Sequence, residues 1–397
     1  MQVSSRVEKL KTEQAFDVLE EVNALREQGR DIISLAIGEP DFNTPEVIKR
    51  AGIRAIKDDK TGYSPSPGIP QLREEVAGYL SRSRRAEYEK AETAVAPGAK
   101  PMIFYGIMAL MERGDKVIYP SPGFPVYSSI IEMMGGEPVP LPMRAENSFN
   151  FSCEELENMI DDLTAGIIIN SPHNPTGSVI DRERMEQLAE LIKEKNLWII
   201  SDEVYSELVY EGEAPSIVDF PGMKERTLLI DGFSKAFAMT GWRLGYAGGP
   251  EKLIDRIGKL ITNSVSCTAT FTQHAGVKAL ESAWNALDRM VEKLAERREI
   301  VWEGLNDIEG IECQKPDGAF YAFADVTEAC RQLGFSDARE YQKFLLEEAG
   351  VAVLYRECFG KRFPGEEREY IRISYASSAG RIKEALNRIK ALHPLKI

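Results

Sequence analysis

A lysine placed just beyond the end of a buried strand can do carbonyl chemistry, and Lys235 has that placement. The segment DGFSKAFAMTGWRLG (231–245) follows an apolar run, 227–230, that reads as a buried strand. The chain breaks on Gly232 and then presents Ser234 and Lys235. Open α/β folds set their ligands at the carboxyl edge of the sheet. A partly desolvated lysine at that edge loses its proton and forms an imine with a carbonyl compound. Ser234 and Arg243 bracket it with a hydroxyl and a forked cation, groups that hold a phosphate. Alone, a Ser-Lys pair in a loop would read as solvated surface; the surroundings argue otherwise.

Three apolar runs end at Asn170, Asp202 and Asp231, with a spacing of roughly thirty residues, the length of a βαβ unit. They lack polar alternation, as parallel strands buried on both faces do. Between the first two, residues 181–195 put leucine and isoleucine on one helical face and charges on the other. Asn174, Asp202, Tyr205, Ser234 and Lys235 follow the strand ends and are expected to converge on one pocket.

Further elements must frame that pocket. Residues 93–96 read as a strand, and the turn PGAK (97–100) opens an amphipathic helix running to near Arg113. Gly98, Ala99 and Lys100 would place free N–H groups and the positive end of a helix dipole where a phosphate fits. A strand at 116–119 leads to PSPGFPVY (120–127), which carries Phe124. Near the start, a helix within 5–30 leads to a strand at 32–37 and the turn GEPDF (38–42), where Gly38 can bring its backbone close to a ligand. Thr44 and Pro45 read as N-cap and first position of a helix ending near Lys60. TGYSPSPG (61–68) is a turn-rich loop bearing Tyr63. Residues 249–282 are helical and amphipathic, and a charged helix at 288–306 reads as the connector to a second domain. Strand patterns at 310–326, a helix at 337–349, a strand at 370–376 carrying Arg372 and a helix at 378–392 complete the chain.

The composition is that of an ordinary globular protein: 397 residues, 43% hydrophobic and 28% charged. A net charge of −14 argues against a nucleic-acid partner. The 5 cysteines are scattered without a CxxC pair, which suits reduced thiols, and the 3 histidines are too dispersed for a metal cluster. No signal peptide or membrane-length apolar run is read, so a cytoplasmic protein without membrane contact is expected.

Several of these segments resemble the class I/II aminotransferases, pyridoxal-phosphate enzymes of fold type I similar to aspartate aminotransferase. The resemblance runs from GEPDF through NSPHNPTG (170–177), SDEVY (201–205) and FSKAFAMTGWRLGYAGGP (233–250) to YIRISYA (370–376). It implies a three-layer α/β/α large domain with a mostly parallel sheet over 45–285, and a smaller α+β domain over 286–397 completed by 1–44. It also implies pyridoxal 5'-phosphate on Lys235, Asp202 beside the ring nitrogen, and Asn174 and Tyr205 on the phenolic oxygen. Phe124 would stack on the ring. The phosphate would fall to Ser234, Arg243 and the Gly98–Ala99–Lys100 turn, with Tyr63 reaching in from the neighbouring subunit of a homodimer. Gly38, Asn174 and Arg372 would meet the substrate, Arg372 through its α-carboxylate. The implied reaction is ping-pong transfer of an amino group between an amino acid, with aspartate or glutamate as one partner, and a 2-oxo acid. The alternatives on this fold are a carbon–sulfur lyase or other β-elimination enzyme, and, in another class, a regulator that binds the cofactor without turnover.

The resemblance thins where side-chain choice is made. Lys100 matches a lysine that some relatives direct at the distal carboxylate of acidic substrates, and that also stands at this position in members with other preferences. Glu13 stands where the pattern carries proline and serine. LYRECFG (354–360) and the charged stretch 361–369 depart from the usual proline-glycine. Arg356 and Arg362 there either hold an anionic side chain or are solvated loop charges, and the second is the expectation.

Overall fold

The computed structural model describes residues 3–8, 10 and 14–393. The strands are β1 (Ile33–Ser34), β2 (Thr93–Ala96), β3 (Lys116–Ser121), β4 (Glu137–Pro142), β5 (Thr164–Asn170), β6 (Trp198–Asp202), β7 (Thr227–Gly232) and β8 (Gly245–Gly248). They are followed by β9 (Glu312–Cys313), β10 (Tyr321–Asp325), β11 (Val351–Ala352), β12 (Leu354–Tyr355) and β13 (Tyr370–Ser374).

The three apolar runs are β5, β6 and β7, adjacent and parallel in a 7-stranded sheet of order β2-β8-β7-β6-β5-β3-β4. Only β8 runs against its neighbours. Alternate residues of these strands enter two separate apolar clusters. Ile167, Ile169, Ile199 and Leu229 face one side, packed with Met185 and Leu188 of the helix Arg182–Lys195. Ile168, Ile200, Leu228 and Ile230 face the other, against Met102 and Ile103 of the helix Ala99–Leu110 and Ile254 and Ile257 of the helix Glu251–Ser264. Burial on both faces is why the runs carry no polar alternation. The layering is α/β/α.

The long helix Trp284–Asn306 leads to a 4-stranded antiparallel sheet of order β12-β13-β10-β9. Near the N-terminus, β1 pairs in parallel with β11, so the first strand is stitched to the C-terminal region.

One local expectation is corrected. Thr44 does not cap a helix: the helix is Glu46–Lys57, and Pro45 precedes it without a side-chain cap. The Thr44 hydroxyl instead donates to Ala238 O (2.5 Å) and accepts from Trp242 Nε1 (3.1 Å), a tertiary pairing that outcompetes the local one.

Candidate active site

The carboxyl ends of β5, β6 and β7 open onto a cavity of about 380 Å³. Asp202, Asn174, Tyr205, Ser234, Lys235, Gly38, Ala99, Lys100, Phe124, Arg243 and Arg372 all line it. Eleven side chains or backbones chosen from distant parts of the sequence therefore meet in one place.

Lys235 stands on the short helix Phe233–Ala236 directly after β7, and its Nζ donates to Gly38 O at 2.5 Å. Burial draws the amine down to about 8; the Glu39 carboxylate opposes this, while Arg372, Arg243 and Lys100 add to it. Asp202, the last residue of β6, is buried and accepts from the Tyr127 hydroxyl at 2.6 Å. Burial pushes its carboxyl up to about 6, against the stabilising Tyr127 bond.

Asn170, at the end of β5, holds the turn that follows it. Its Oδ1 accepts from Asn174 N and its Nδ2 donates to Asp202 O, both at 2.9 Å. Asn174 Oδ1 accepts from Arg372 Nη1 at 2.9 Å, so its NH₂ is the group left to act as donor. The other Arg372 Nη2 donates to Ala36 O. The guanidinium lies 4.3 Å from the Tyr321 ring centroid and 4.8 Å from that of Phe359. Tyr205 and Tyr321 share a hydrogen bond between hydroxyls at 2.8 Å. A Cβ on Gly38 would lie 1.9 Å from Tyr321 Oη, so only glycine lets the 38–42 turn close over this corner.

At the opposite end the geometry suits an anion. A Cβ on Gly98 would lie 2.3 Å from Arg243 Nη2, and one on Gly245 would lie 2.3 Å from Ala99 N. Glycine at both positions brings the guanidinium and the N-terminus of the helix Ala99–Leu110 together. Arg243 takes a left-handed φ of 54° and donates from Nη1 to Thr240 O (2.7 Å) on the exposed rim. Lys100 Nζ sits 5.2 Å over the Phe124 ring.

His173 is buried against Thr176 Oγ1 (2.8 Å), and burial takes it down to about 3, so the neutral ring shapes the turn. Tyr63 lies outside the cavity and is 91% exposed. Glu13 falls outside the described residues. The expectation for Arg356 is corrected: it is 0% exposed and forms two bonds to Glu366, because a carboxylate ten residues on satisfies it inside the fold. Arg362 is likewise engaged, with Glu357 (2.7 Å) and Glu369 (2.6 Å). Neither lines the cavity. Sequence reasoning missed Tyr321 and Tyr127, aromatics that read as packing, and found Asn170 only as a strand end, not as the side chain that holds the turn after it.

The model for "Aminotransferase class I and II" matches residues 30–389. The chain belongs to that family. It is therefore a pyridoxal-phosphate-dependent aminotransferase. A curated relative, the "Probable aspartate/prephenate aminotransferase" of Aquifex aeolicus, is 39% identical over 98% of each chain. The "Aromatic-amino-acid aminotransferase 2" of Thermococcus litoralis is 38% identical over 90% of this chain and 91% of its own. Among solved structures, the aspartate aminotransferase from Thermus thermophilus with maleate superposes with a TM-score of 0.93 at 35% identity, covering 99% of this chain and 100% of that one. The aminotransferase has the fold of these relatives, fold type I. Its cavity fits the cofactor family-wide chemistry demands: an amine at one side, a buried carboxylate at another, and a glycine cradle with an arginine for an anion. Among the described residues no helix is long and apolar enough to cross a membrane, and no cluster of metal-ligating side chains occurs.

Proposed function

We propose that the enzyme transfers amino groups between an L-amino acid and a 2-oxo acid in ping-pong fashion, with aspartate or glutamate as one partner. The observation that carries the assignment of roles is the convergence of Lys235, Asp202 and Arg372 on one cavity. The cofactor, when bound, supplies an aldehyde that captures amines and a cationic ring that takes up the electrons of a deprotonated carbon.

Lys235 Nζ would hold the cofactor through its aldehyde, and as a free amine in the cavity it would serve as the base that moves the substrate α-proton. An amine near 8 is well matched to both tasks. Asp202 keeps a proton on the ring nitrogen; a cation beside it would return its carboxyl to the ionised form that burial alone disfavours. The Asn174 amide and Tyr205 hydroxyl would donate to the cofactor's phenolic oxygen, and Phe124 would pack on its ring. Ser234, Arg243 and the Gly98–Ala99–Lys100 turn would hold its phosphate. Arg372 grips the α-carboxylate beside Gly38, its plane fixed by Asn174, Ala36 O and two aromatic rings.

An acidic partner is supported by Lys100 in the cavity wall and by relatives named for aspartate. We assign 45–285 to a large domain and 286–397 to a small one completed by 1–44, a division supported by the β1–β11 pairing. We assign the active form to a homodimer in the cytoplasm. An exposed Tyr63 available to a neighbouring chain's phosphate and 5 free cysteines support these two readings. Single-turnover screening of amino acids tests the reaction. Aspartate and glutamate should convert the cofactor to its amine form, and a 2-oxo acid should restore it; release of pyruvate without the amine form would instead indicate elimination.

A further inference from the structure

The loop after β12 is fastened at both ends to the substrate-facing machinery, and one buried ion pair is its fastening. Arg356 is wholly enclosed and donates from Nε and Nη2 to the two oxygens of Glu366, at 2.5 and 2.6 Å. Its Nη1 donates to Gly360 O at 3.1 Å, and Nη2 also reaches Ser121 Oγ at 3.1 Å. Ser121 is the last residue of β3, in the large sheet, and its hydroxyl donates to Lys361 O at 2.7 Å. Two residues on, Gly123 N donates to Phe359 O at 2.9 Å, immediately before Phe124. The other end of the loop reaches Arg372. Leu354 is paired in register with Arg372, and the Phe359 ring lies 4.8 Å from its guanidinium.

A buried ion pair is weak evidence for stability, since two well-packed apolar residues often serve as well. Here the fork geometry does something an apolar pair cannot: it fixes Glu366, two loop carbonyls and the end of β3 around one rigid plane. We propose that Arg356 and Glu366 are positioning residues that hold Arg372 and the Phe124 loop at a fixed separation, and so set affinity for the substrate α-carboxylate. The proposal rests on the reading that Arg372 grips that carboxylate.

The test uses the holoenzyme carrying Arg356→Met with Glu366→Leu, a swap that leaves no unpaired charge in the interior. The expected result is a thermal midpoint close to that of the native protein, with KM for amino acid and 2-oxo acid both raised about 10-fold and kcat changed far less. Equilibrium binding of maleate, an unreactive dicarboxylate, should weaken by the same factor. Arg356→Lys should not rescue, because a single ammonium cannot span Glu366 and Ser121. Native KM and native maleate affinity in the paired variant, with or without a lower midpoint, would assign the ion pair to loop stability and overturn the proposal. If that variant fails to fold, Ser121→Ala cuts only the link to β3 and should raise KM about 3-fold; an unchanged KM there overturns it equally. Arg372→Met separates the two readings. Intact maleate affinity in Arg372→Met removes the carboxylate role and this proposal with it, whereas weakened maleate binding there beside native binding in the loop variants removes this proposal alone.

Discussion

Two regions bury ionisable side chains in opposite ways. In the loop after β12, Arg356 and Glu366 are sunk together, each satisfied by the other through two hydrogen bonds. At the sheet edge, Lys235 and Asp202 line the cavity with neutral partners at hydrogen-bonding distance, a carbonyl and a phenol. The consequences diverge. The amine is drawn down to about 8 and the carboxyl pushed up to about 6, both toward the uncharged form. Paired burial gives a rigid strut; unpaired burial gives reactive groups awaiting a ligand of complementary charge.

That contrast is most sharply broken at Lys235. Lys235→Ala in the holoenzyme should lower kcat by about 10⁴-fold, measured as amino-group transfer, because tether and base are lost together. Retained turnover would place the base elsewhere. Asp202→Asn should follow, with kcat down on the order of 100-fold and weakened cofactor retention, since an amide cannot favour a protonated ring nitrogen. Arg372→Met should raise KM for amino acid and 2-oxo acid about 100-fold while cofactor absorbance stays native.

The smallest effect concerns stability without cofactor. The folded-state pKa of Lys235 is depressed from 10.5 to about 8. Its neutral form is the one the fold prefers, so its contribution is fully present above 10.5 and is lost as pH falls through about 8. Lys235→Met should therefore stabilise the cofactor-free protein at pH 7 by on the order of 2 kcal/mol, with the difference vanishing in alkaline solution. Denaturant melts across that range would show it; an equal gain at every pH would mean that packing, not the charge, is responsible.

Much of the site was legible because its residues end strands. An apolar run that stops at a polar residue marks a sheet edge, and Asn170, Asp202 and the segment to Lys235 were found that way. Their parallel order followed from run spacing, while the reversed β8 carried no such signal. Contacts made across the chain were not legible. Tyr321 fills the space above Gly38 only because two remote segments meet, and the three residues after it on β10, Ala322, Phe323 and Ala324, are all buried, without alternation to single it out. Arg356 looked like a surface charge because its satisfaction depends on Glu366 and Ser121, partners that only folding brings together. Thr44 failed as a cap for the same reason: a distant carbonyl claimed its hydroxyl.

The central claim is that one amine, at the end of β7, carries the cofactor. Borohydride reduction of the holoenzyme fixes a lysine-bound cofactor permanently, and peptide mass mapping then locates it. The added mass should fall on Lys235 alone, in the peptide containing FSKAF; label on Lys100 or any other lysine, with Lys235 unmodified, would contradict the account.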